Sequence, residues 1–333
     1  MSKKGMCNNG REMDILIVKL GALGDVVNTL PLAISLKRHF HARIHWLVEP
    51  LSHALVSRHA SVDVPILFDK RRWPAALPGV LHAVREKRFD LALDLQRTAK
   101  SGLFTWASAA GRRVGAGRGR CKEMTWLLPF ERIPPADPSG HMVRQYLEFA
   151  SYLGASSDSV AWDIPQGDRP PAALPASYIV LNIGATKPAN RWGAKGFSAL
   201  SRLVDRRFGL PCVLTGGPED REAADGVVSG AAVSTIDLVG RTTIMELVGV
   251  LSGARAVVTC DTGPMHLAVA LEKEVVALFG PADPGRTGPF LGRVISKGLP
   301  CSPCGRKVCR DPLCMEAISP EDVLAELEAV LGE

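Results

Sequence analysis

The chain alternates between short apolar runs, typical of buried strands, and longer stretches with apolar positions at helical spacing. In the first half this pattern predicts strands at 14–20, 44–49, 62–68, 89–95 and 113–115, and helices at 28–39, 74–87, 97–109 and 141–153. In the second half the runs SYIVLNIGA, PCVLTGG, TIDLVG, ARAVVTC and EVVALFG repeat it. Such alternation predicts an α/β protein with parallel sheets covered by helices on both faces.

A proline-rich segment at 163–177 has neither helical nor strand periodicity, and 166–176 within it is predicted to be a linker. The linker would divide the 333 residues into domains at 13–165 and 177–318, each large enough to bury a core. We expect two Rossmann-like, doubly wound domains that face each other across a central cleft. The last helix, within 319–333, is expected to pack back on the first domain.

The composition is that of an ordinary globular protein, with 46% hydrophobic and 22% charged residues and no apolar run near the roughly 18 residues of a membrane span. The basic, polar N-terminal residues do not resemble a secretory signal, so we expect a cytoplasmic protein. The net charge of +6 is modest, but the segment 97–122 contains no acidic residue. Its basic residues are Arg97, Lys100, Arg112, Arg113, Arg118, Arg120 and Lys122. This basic stretch indicates an anionic partner.

The strand-like run DILIVKL leads into a glycine turn at 21–24, and the carboxylate of Asp25 follows the turn. A dinucleotide-binding turn would read GxGxxG and direct helix amides at a pyrophosphate, which Asp25 would repel. Because open α/β sheets bind ligands at the carboxyl ends of their strands, Asp25 is a candidate general base. The sequence leaves open the alternative that Asp25 only caps the following helix.

Two segments of the second half place charged residues after strands. GATKPANRW, at 184–192, brings Thr186, Lys187 and Arg191 to a strand end, where they could neutralise a diphosphate or simply keep the surface soluble. TGGPEDREAA places Glu219 after the next strand. Its carboxylate could accept hydrogen bonds from ribose hydroxyls, or the Gly-Gly-Pro-Glu sequence could only begin a helix.

The segment CDTGPMHLAVAL, at 260–271, is the strongest candidate anion site. Pro264 suits a first helical position, which leaves the amides from Gly263 onward directed at an anion, with Thr262 as a further donor. Asp261 and Thr262 could instead be capping residues, and His266 could be an ordinary buried imidazole. The Gly- and Pro-rich segment FGPADPGRTGP, at 279–289, would let the backbone approach the same ligand.

The order and spacing of these motifs resemble those of glycosyltransferase family 9, the bacterial heptosyltransferases. The resemblance covers about residues 14–330 and rests on GxxGD followed by LP, GAT followed by RW, DTGPMHLAVAL and FGPADPGRTGP. Three further segments look more like heptosyltransferase I than heptosyltransferase II: HWLVEP, RRW at 71–73 and DLQRTAKSG at 94–102.

The resemblance implies a GT-B fold and an inverting transfer of L-glycero-D-manno-heptose from ADP-heptose to the Kdo region of the lipopolysaccharide inner core. At matching positions Asp25 would be the base, Thr186 and Arg191 would lie near the donor diphosphate, and Glu219 near the ribose. The candidate donor-binding residues are thus Thr186, Lys187, Arg191, Glu219, Asp261, Thr262, Gly263 and His266. The candidate acceptor-binding residues are Lys100, Arg120 and His141. Some relatives have Lys in place of Arg191, whose guanidinium can bind a diphosphate bidentately.

The sequence contains no Asp-x-Asp triplet, the usual holder of Mg²⁺ or Mn²⁺ in metal-dependent transferases, so we expect metal-independent catalysis without a cofactor. The oxocarbenium-like transition state needs a base on the incoming hydroxyl and positive charge on the leaving diphosphate. The basic stretch would meet Kdo carboxylates, lipid A phosphates and the anionic cytoplasmic surface of the inner membrane. No nucleic-acid partner is expected.

Cys301, Cys304, Cys309 and Cys314 have the spacing C-x2-C-x4-C-x4-C. A cytoplasmic location does not favour disulfides. The four thiols could hold a structural zinc or iron–sulfur cluster, although the spacing is not that of a standard finger, or they could hold no metal.

Other functions remain open at this point. A nicotinamide-dependent dehydrogenase would explain the first half, with Glu49 at the end of the second strand as a ribose-binding acid, but the GxGxxG motif is missing. A protein that binds a nucleotide sugar without turnover is contradicted only by Asp25. A transferase of the same fold could also use another nucleotide sugar.

Overall fold

The computed structural model describes residues 12–134, 137–232 and 234–332. The chain forms two compact units. One contains the residues up to Pro138 together with Val143–Pro165, and the other contains Ser139–Met142 together with the residues from Gln166 onward. Each unit has its own six-stranded sheet and its own hydrophobic core.

The first unit is built on a parallel sheet. Its strands are β1 (Asp14–Val18), β2 (Arg43–Val48), β3 (Val64–Leu67), β4 (Leu91–Asp94), β5 (Arg112–Gly115) and β6 (Glu131–Arg132). They pair in parallel in the order β3-β2-β1-β4-β5-β6. Strand β1 lies in the middle of the sheet and is almost wholly buried, which explains its continuous run of aliphatic residues. The sequence predicts each of these strands except the two-residue β6.

The helices that follow the strands of the first unit are α1 (Leu23–Phe40), α2 (Pro50–Ser57), α3 (Trp73–Glu86), α4 (Ala99–Ala107) and α5 (Met142–Leu153). Helix α1 begins at Leu23 rather than at the predicted residue 28, because the glycine turn leads directly into it. Asp25 therefore lies in the first helical turn. The pattern did not predict α2, because eight residues are too few for a clear periodicity.

The second unit repeats the topology of the first. Its strands are β7 (Ile179–Asn182), β8 (Cys212–Thr215), β9 (Ile236–Asp237), β10 (Ala256–Cys260), β11 (Glu274–Leu278) and β12 (Arg293–Ile295). They pair in parallel in the order β12-β11-β10-β7-β8-β9. In both sheets the first strand lies between the second and the fourth, which is the doubly wound Rossmann order. The predicted fold class of two Rossmann-like α/β units is confirmed.

The helices of the second unit complete this layered arrangement. They are α6 (Ala194–Phe208), α7 (Arg221–Val228), α8 (Ile244–Gly253), α9 (Gly263–Ala270), α10 (Pro284–Thr287), α11 (Leu313–Glu316) and α12 (Pro320–Leu331). Helix α6 packs its apolar stripe, which includes Leu200 and Val204, into a core shared with Leu181 of β7 and Val258 of β10.

The C-terminal helix α12 packs on the second unit. Val323 and Leu327, one turn apart on α12, are fully buried in the same core as α6. The indole N–H of Trp192 donates to the Ile318 carbonyl at 2.9 Å just before the helix. The apolar stripe of α12 therefore completes the core of its own unit.

The segment predicted as a linker is held on the second unit. The Asp168 amide donates to the Met245 carbonyl at 2.8 Å, and Gly167 lies directly against the backbone of Gly249.

In the described parts of the chain, no helix combines the length and hydropathy that a membrane span requires.

Candidate active site

The order of the first sheet reverses between β1 and β4, and doubly wound sheets bind ligands beside the carboxyl ends of two such strands. The loop after β1 carries Lys19 and leads to Asp25, and the loop after β4 carries Gln96. The Gln96 Oε1 accepts hydrogen bonds from the amides of Leu20 at 3.2 Å and Gly21 at 3.3 Å. The two loops are therefore joined at the position where a ligand is expected.

Two side chains hold the carboxylate of Asp25. The Lys19 ammonium donates to Oδ2 at 3.0 Å, and the Tyr146 hydroxyl of α5 donates to Oδ1 at 3.1 Å. The Lys19 side chain is 2% exposed, whereas that of Asp25 is 37% exposed. The carboxylate thus remains accessible to a substrate while its counter-ion is shielded from water.

The protonation states of this cluster follow from burial and charge. Burial raises the pKa of Asp25, but the charge and hydrogen bond of Lys19, with the hydrogen bond of Tyr146, outweigh burial and leave that pKa below its usual value. Burial lowers the pKa of Lys19, with Asp25 opposing this effect. Burial and the charge of Asp25 raise the pKa of Tyr146 well above its usual value, so its hydroxyl stays a donor. At neutral pH Asp25 is therefore ionised and able to accept a proton.

The alternative role of Asp25 as a helix cap does not hold. The N-cap residue of α1 is Ala22, and its side chain makes no capping hydrogen bond. The Asp25 carboxylate is bonded to Lys19 and Tyr146, not to a backbone amide. A cap would place a side-chain oxygen on the amides of the first turn, so Asp25 has another role.

In the second unit the sheet order reverses between β7 and β10, and the candidate segments 184–192 and 260–271 follow these two strands. Thr262 is the N-cap residue of α9, but its side chain makes no capping bond. Its Oγ1 instead lies 3.3 Å from Asn182 Nδ2 and 3.3 Å from Thr259 Oγ1. Because the N-cap side chain leaves the first amides of α9 uncapped, the helix dipole favours an anion there, next to Gly263.

Arg191 lies near the end of β7, where Asp220 orients it. Its Nη2 donates to Asp220 Oδ1 at 2.7 Å, and its Nε donates to the Ala185 carbonyl at 3.3 Å. The Arg191 side chain is 35% exposed, whereas that of Asp220 is 4% exposed. Burial raises the pKa of Asp220, and the Gly217 amide and the charge of Arg191 oppose that change. The guanidinium is therefore fixed at one end and accessible at the other.

The remaining candidate donor residues lie in the same unit. Thr186 is exposed, and Lys187 is the N-cap residue of a short 3-10 turn. The Asp261 Oδ2 accepts a hydrogen bond from Asn190 Nδ2 at 3.0 Å. Glu219 is exposed on a 3-10 turn after β8, and His266 is 9% exposed in α9.

The candidate acceptor residues differ in exposure and in the unit that contains them. Lys100 is exposed on α4, with its ammonium 5.5 Å from the Phe68 ring centroid. Arg120 is buried and ion-paired with Glu148 of α5, so its guanidinium is not presented to solvent. His141 belongs to the second unit, where its Nε2 lies 2.9 Å from the Gly288 carbonyl.

The spacing of the C-terminal cysteines allows a metal site, and the structure brings Cys301 and Cys304 close enough to Cys314 for their charges to affect its pKa. In residues 12–134, 137–232 and 234–332, no three His, Cys, Asp or Glu side chains form a group that could hold a metal ion. Cys314 is buried on α11 against Gly280, whereas Cys301 and Cys304 are exposed and Cys309 donates to the Asp311 carbonyl. Burial raises the pKa of Cys314, and the charges of Cys301 and Cys304 raise it as well.

Sequence reasoning missed several side chains at these sites: Lys19, Tyr146, Asn182, Asn190 and Asp220. Lys19 ends an apolar run, and a charge at that position is a signal that could have been read as a strand-end site. Tyr146 lies 121 residues after Asp25 and follows no motif, so only tertiary contact reveals it.

Comparisons with known proteins identify the family of the chain. The family model of glycosyltransferase family 9 (heptosyltransferase) matches residues 79–314, more than half of the chain. Lipopolysaccharide heptosyltransferase 1 of Pseudomonas aeruginosa is 27% identical over 96% of this chain and 98% of its own length.

Solved structures agree as well. A glycosyltransferase family 9 structure from Veillonella parvula covers 96% of this chain and 97% of its own, with a TM-score of 0.81 and 20% identity. The structure of E. coli ADP-heptose lps heptosyltransferase II covers 96% of this chain and 98% of its own, with a TM-score of 0.77 and 25% identity. The predicted GT-B architecture is thereby confirmed. The chain belongs to glycosyltransferase family 9, the heptosyltransferase family, and is a glycosyltransferase.

Proposed function

We propose that this protein transfers heptose from ADP-L-glycero-D-manno-heptose to the Kdo region of the lipopolysaccharide inner core, with inversion at the anomeric carbon and without a metal ion. The observation that carries the proposal is the ionised, accessible carboxylate of Asp25, held by Lys19 and Tyr146 at the switch point of the first sheet. The names of the similar proteins, lipopolysaccharide heptosyltransferase 1 and ADP-heptose lps heptosyltransferase II, support the choice of donor and acceptor.

In this reaction Asp25 acts as the general base. The acceptor hydroxyl oxygen attacks the anomeric carbon of heptose while the bond from that carbon to the ADP oxygen breaks. The hydroxyl proton passes to the Asp25 carboxylate, and ADP leaves with the bonding electron pair. Attack on the face opposite to ADP inverts the anomeric configuration.

The second unit would bind the donor and stabilise the departing ADP. Arg191 and the first amides of α9 are the donors available for the negative charge that grows on the diphosphate. Thr186, Lys187, Asp261, Thr262 and His266 would line the donor, with Glu219 near its ribose. Because these groups can supply the charge stabilisation, the mechanism needs no divalent metal.

The first unit would meet an anionic, lipid-linked acceptor at the cytoplasmic face of the inner membrane. Lys100 on α4 supplies an exposed positive charge within the basic stretch. Leu103 and Trp106 follow at helical spacing and are 45% and 48% exposed. Positive charge beside exposed apolar and aromatic side chains is a combination that favours an anionic membrane surface.

The proposed function is tested by incubating the purified protein with ADP-heptose and heptose-deficient lipopolysaccharide. We expect ADP release coupled to heptose incorporation, with the product linkage opposite in anomeric configuration to the donor by NMR. EDTA should leave the rate unchanged. A rate that falls with EDTA and returns with Mg²⁺, in protein shown to stay folded, would contradict the metal-free part of the proposal, and retention of configuration would contradict inversion.

Replacing Lys19 with methionine tests whether Lys19 lowers the pKa of Asp25. The charge of Lys19 stabilises the ionised carboxylate, so its removal should raise the pKa of Asp25. The acid limb of the kcat/KM profile should then move to higher pH, by about 1 to 3 units for loss of an adjacent opposite charge. Tyr146→Phe, which removes only one hydrogen bond, should shift the limb in the same direction by less. An unmoved limb in Lys19→Met would show that another group titrates in the profile.

A further inference from the structure

Arg97 lies in the loop that follows β4, at the switch point that also carries Asp25. Its neighbour Gln96 accepts the amides of Leu20 and Gly21, which joins this loop to the one that leads to Asp25. The charge of Arg97 is close enough to lower the pKa values of both Asp25 and Lys19. Arg97 therefore belongs to the surroundings of the candidate base.

The backbone of Arg97 is held in an uncommon conformation. Its φ of 65° lies in the left-handed region, which non-glycine residues rarely adopt. The Asp94 Oδ1 accepts the Arg97 amide at 2.9 Å, and the Arg97 carbonyl accepts the Lys122 amide at 2.9 Å. Residues kept in such conformations cluster at ligand sites.

The Arg97 side chain is buried with unused hydrogen-bonding capacity. The residue is 8% exposed, and its Nε has no hydrogen-bond partner among the described residues. Other arginines of the basic stretch have carboxylate partners, Arg112 with Glu131 and Arg120 with Glu148, and no such ion pair is found for Arg97 in the described part of the chain. A guanidinium carries five N–H donors and a permanent charge, so burial without an anion is costly.

We propose that Arg97 binds an anionic group of the acceptor, namely the carboxylate of a sugar acid, beside the hydroxyl that Asp25 deprotonates. This inference rests on the proposed function, because it assumes that the acceptor occupies the switch point of the first unit. A sugar acid carries its carboxylate and hydroxyls on one ring, which fits a cation and a carboxylate on two loops that are hydrogen-bonded to each other. A phosphate of the lipid portion is the other source of an anion, and it lies at least one sugar further away.

Arg97→Gly is the most informative variant, since glycine adopts a positive φ without strain and the fold should be retained. His41→Gly is its matched control, because His41 also has a positive φ, of 48°, but is exposed at the end of α1. Acceptor affinity is measured by calorimetry without donor, using a Kdo-containing lipid A, its carboxyl-reduced form and its dephosphorylated form. The affinity for ADP and the unfolding temperature are measured in parallel.

We expect Arg97→Gly to weaken binding of the intact acceptor by about 10- to 100-fold, the range for one charge-assisted contact, with ADP affinity unchanged and a cooperative unfolding transition retained. Carboxyl reduction should weaken binding to the natural protein by a similar factor and should not affect the variant. Dephosphorylation should affect both proteins alike. His41→Gly should match the natural protein throughout.

Equal sensitivity of both proteins to carboxyl reduction would overturn the proposal. A variant that no longer responds to dephosphorylation would assign Arg97 to a phosphate and overturn the carboxylate assignment. Failure of the proposed function is seen separately, as a natural protein that binds the acceptor but transfers no heptose.

Discussion

Replacing Asp25 with asparagine is expected to lower kcat by about 10²- to 10⁴-fold, the contribution typical of a positioned general base. Asparagine keeps the size of the side chain but cannot take up the proton of the acceptor hydroxyl. ADP affinity should be nearly unchanged, because the candidate donor-binding groups lie in the second unit. Steady-state kinetics with ADP-heptose and the lipopolysaccharide acceptor measure the loss, and calorimetry with ADP measures the affinity.

The buried partner of Asp25 calls for a second variant. Asp25→Asn leaves the Lys19 ammonium without its counter-ion, which destabilises a buried pair. In Lys19→Met combined with Asp25→Asn both charges are gone, so loss of activity in a stable double variant reports on the base alone. Glu222→Gln, at an exposed carboxylate in the first turn of α7, is the matched control and should keep full activity. More than about a tenth of the natural kcat in Asp25→Asn is too much for a missing base and would move the catalytic assignment elsewhere.

Replacing Arg191 with alanine is expected to lower kcat/KM by about 10- to 150-fold, which corresponds to about 1.5–3 kcal/mol for one charge-assisted hydrogen bond. Negative charge on the diphosphate grows as ADP departs, so kcat should fall and the KM for ADP-heptose should rise. Initial rates over a range of ADP-heptose concentrations separate the two effects.

The control for this variant follows from the ion pair that the structure contains. Arg191→Ala leaves the carboxylate of Asp220, whose side chain is 4% exposed, without its cationic partner. The combination of Arg191→Ala with Asp220→Asn removes both charges and should restore stability without restoring kcat/KM. Recovery of kcat/KM in the double variant would mean that Arg191 acts only on the fold and lies outside the donor site.

The sequence predicts the architecture well because the pattern of a buried parallel strand is local. Strands such as β1 and β10 are continuous apolar runs, since helices cover both faces of the sheet. The Gly turn before Asp25 and the Pro at the start of α9 are equally local signals, and both mark the ends of strands. Because strand ends are where doubly wound sheets bind ligands, these local signals suffice to locate the candidate base and the candidate anion site.

The chemistry of the candidate site depends on contacts that no local pattern contains. The protonation state of Asp25 depends on Tyr146, which is 121 residues away in sequence. It also depends on Lys19, whose side chain is shielded from solvent only in the folded protein. Likewise, Arg120 and Lys100 belong to one basic stretch, but packing buries the first against Glu148 and exposes the second.

The sequence by itself determined the family, the two Rossmann-like units and the positions of the candidate base Asp25 and the candidate anion site at α9, because periodicity and turn residues report local backbone structure. Only the tertiary structure decided which charges are paired and that α12 completes the core of the second unit. Burial and ion pairing depend on side chains brought together from distant parts of the chain. These long-range contacts decide which of the candidate residues are available for substrate.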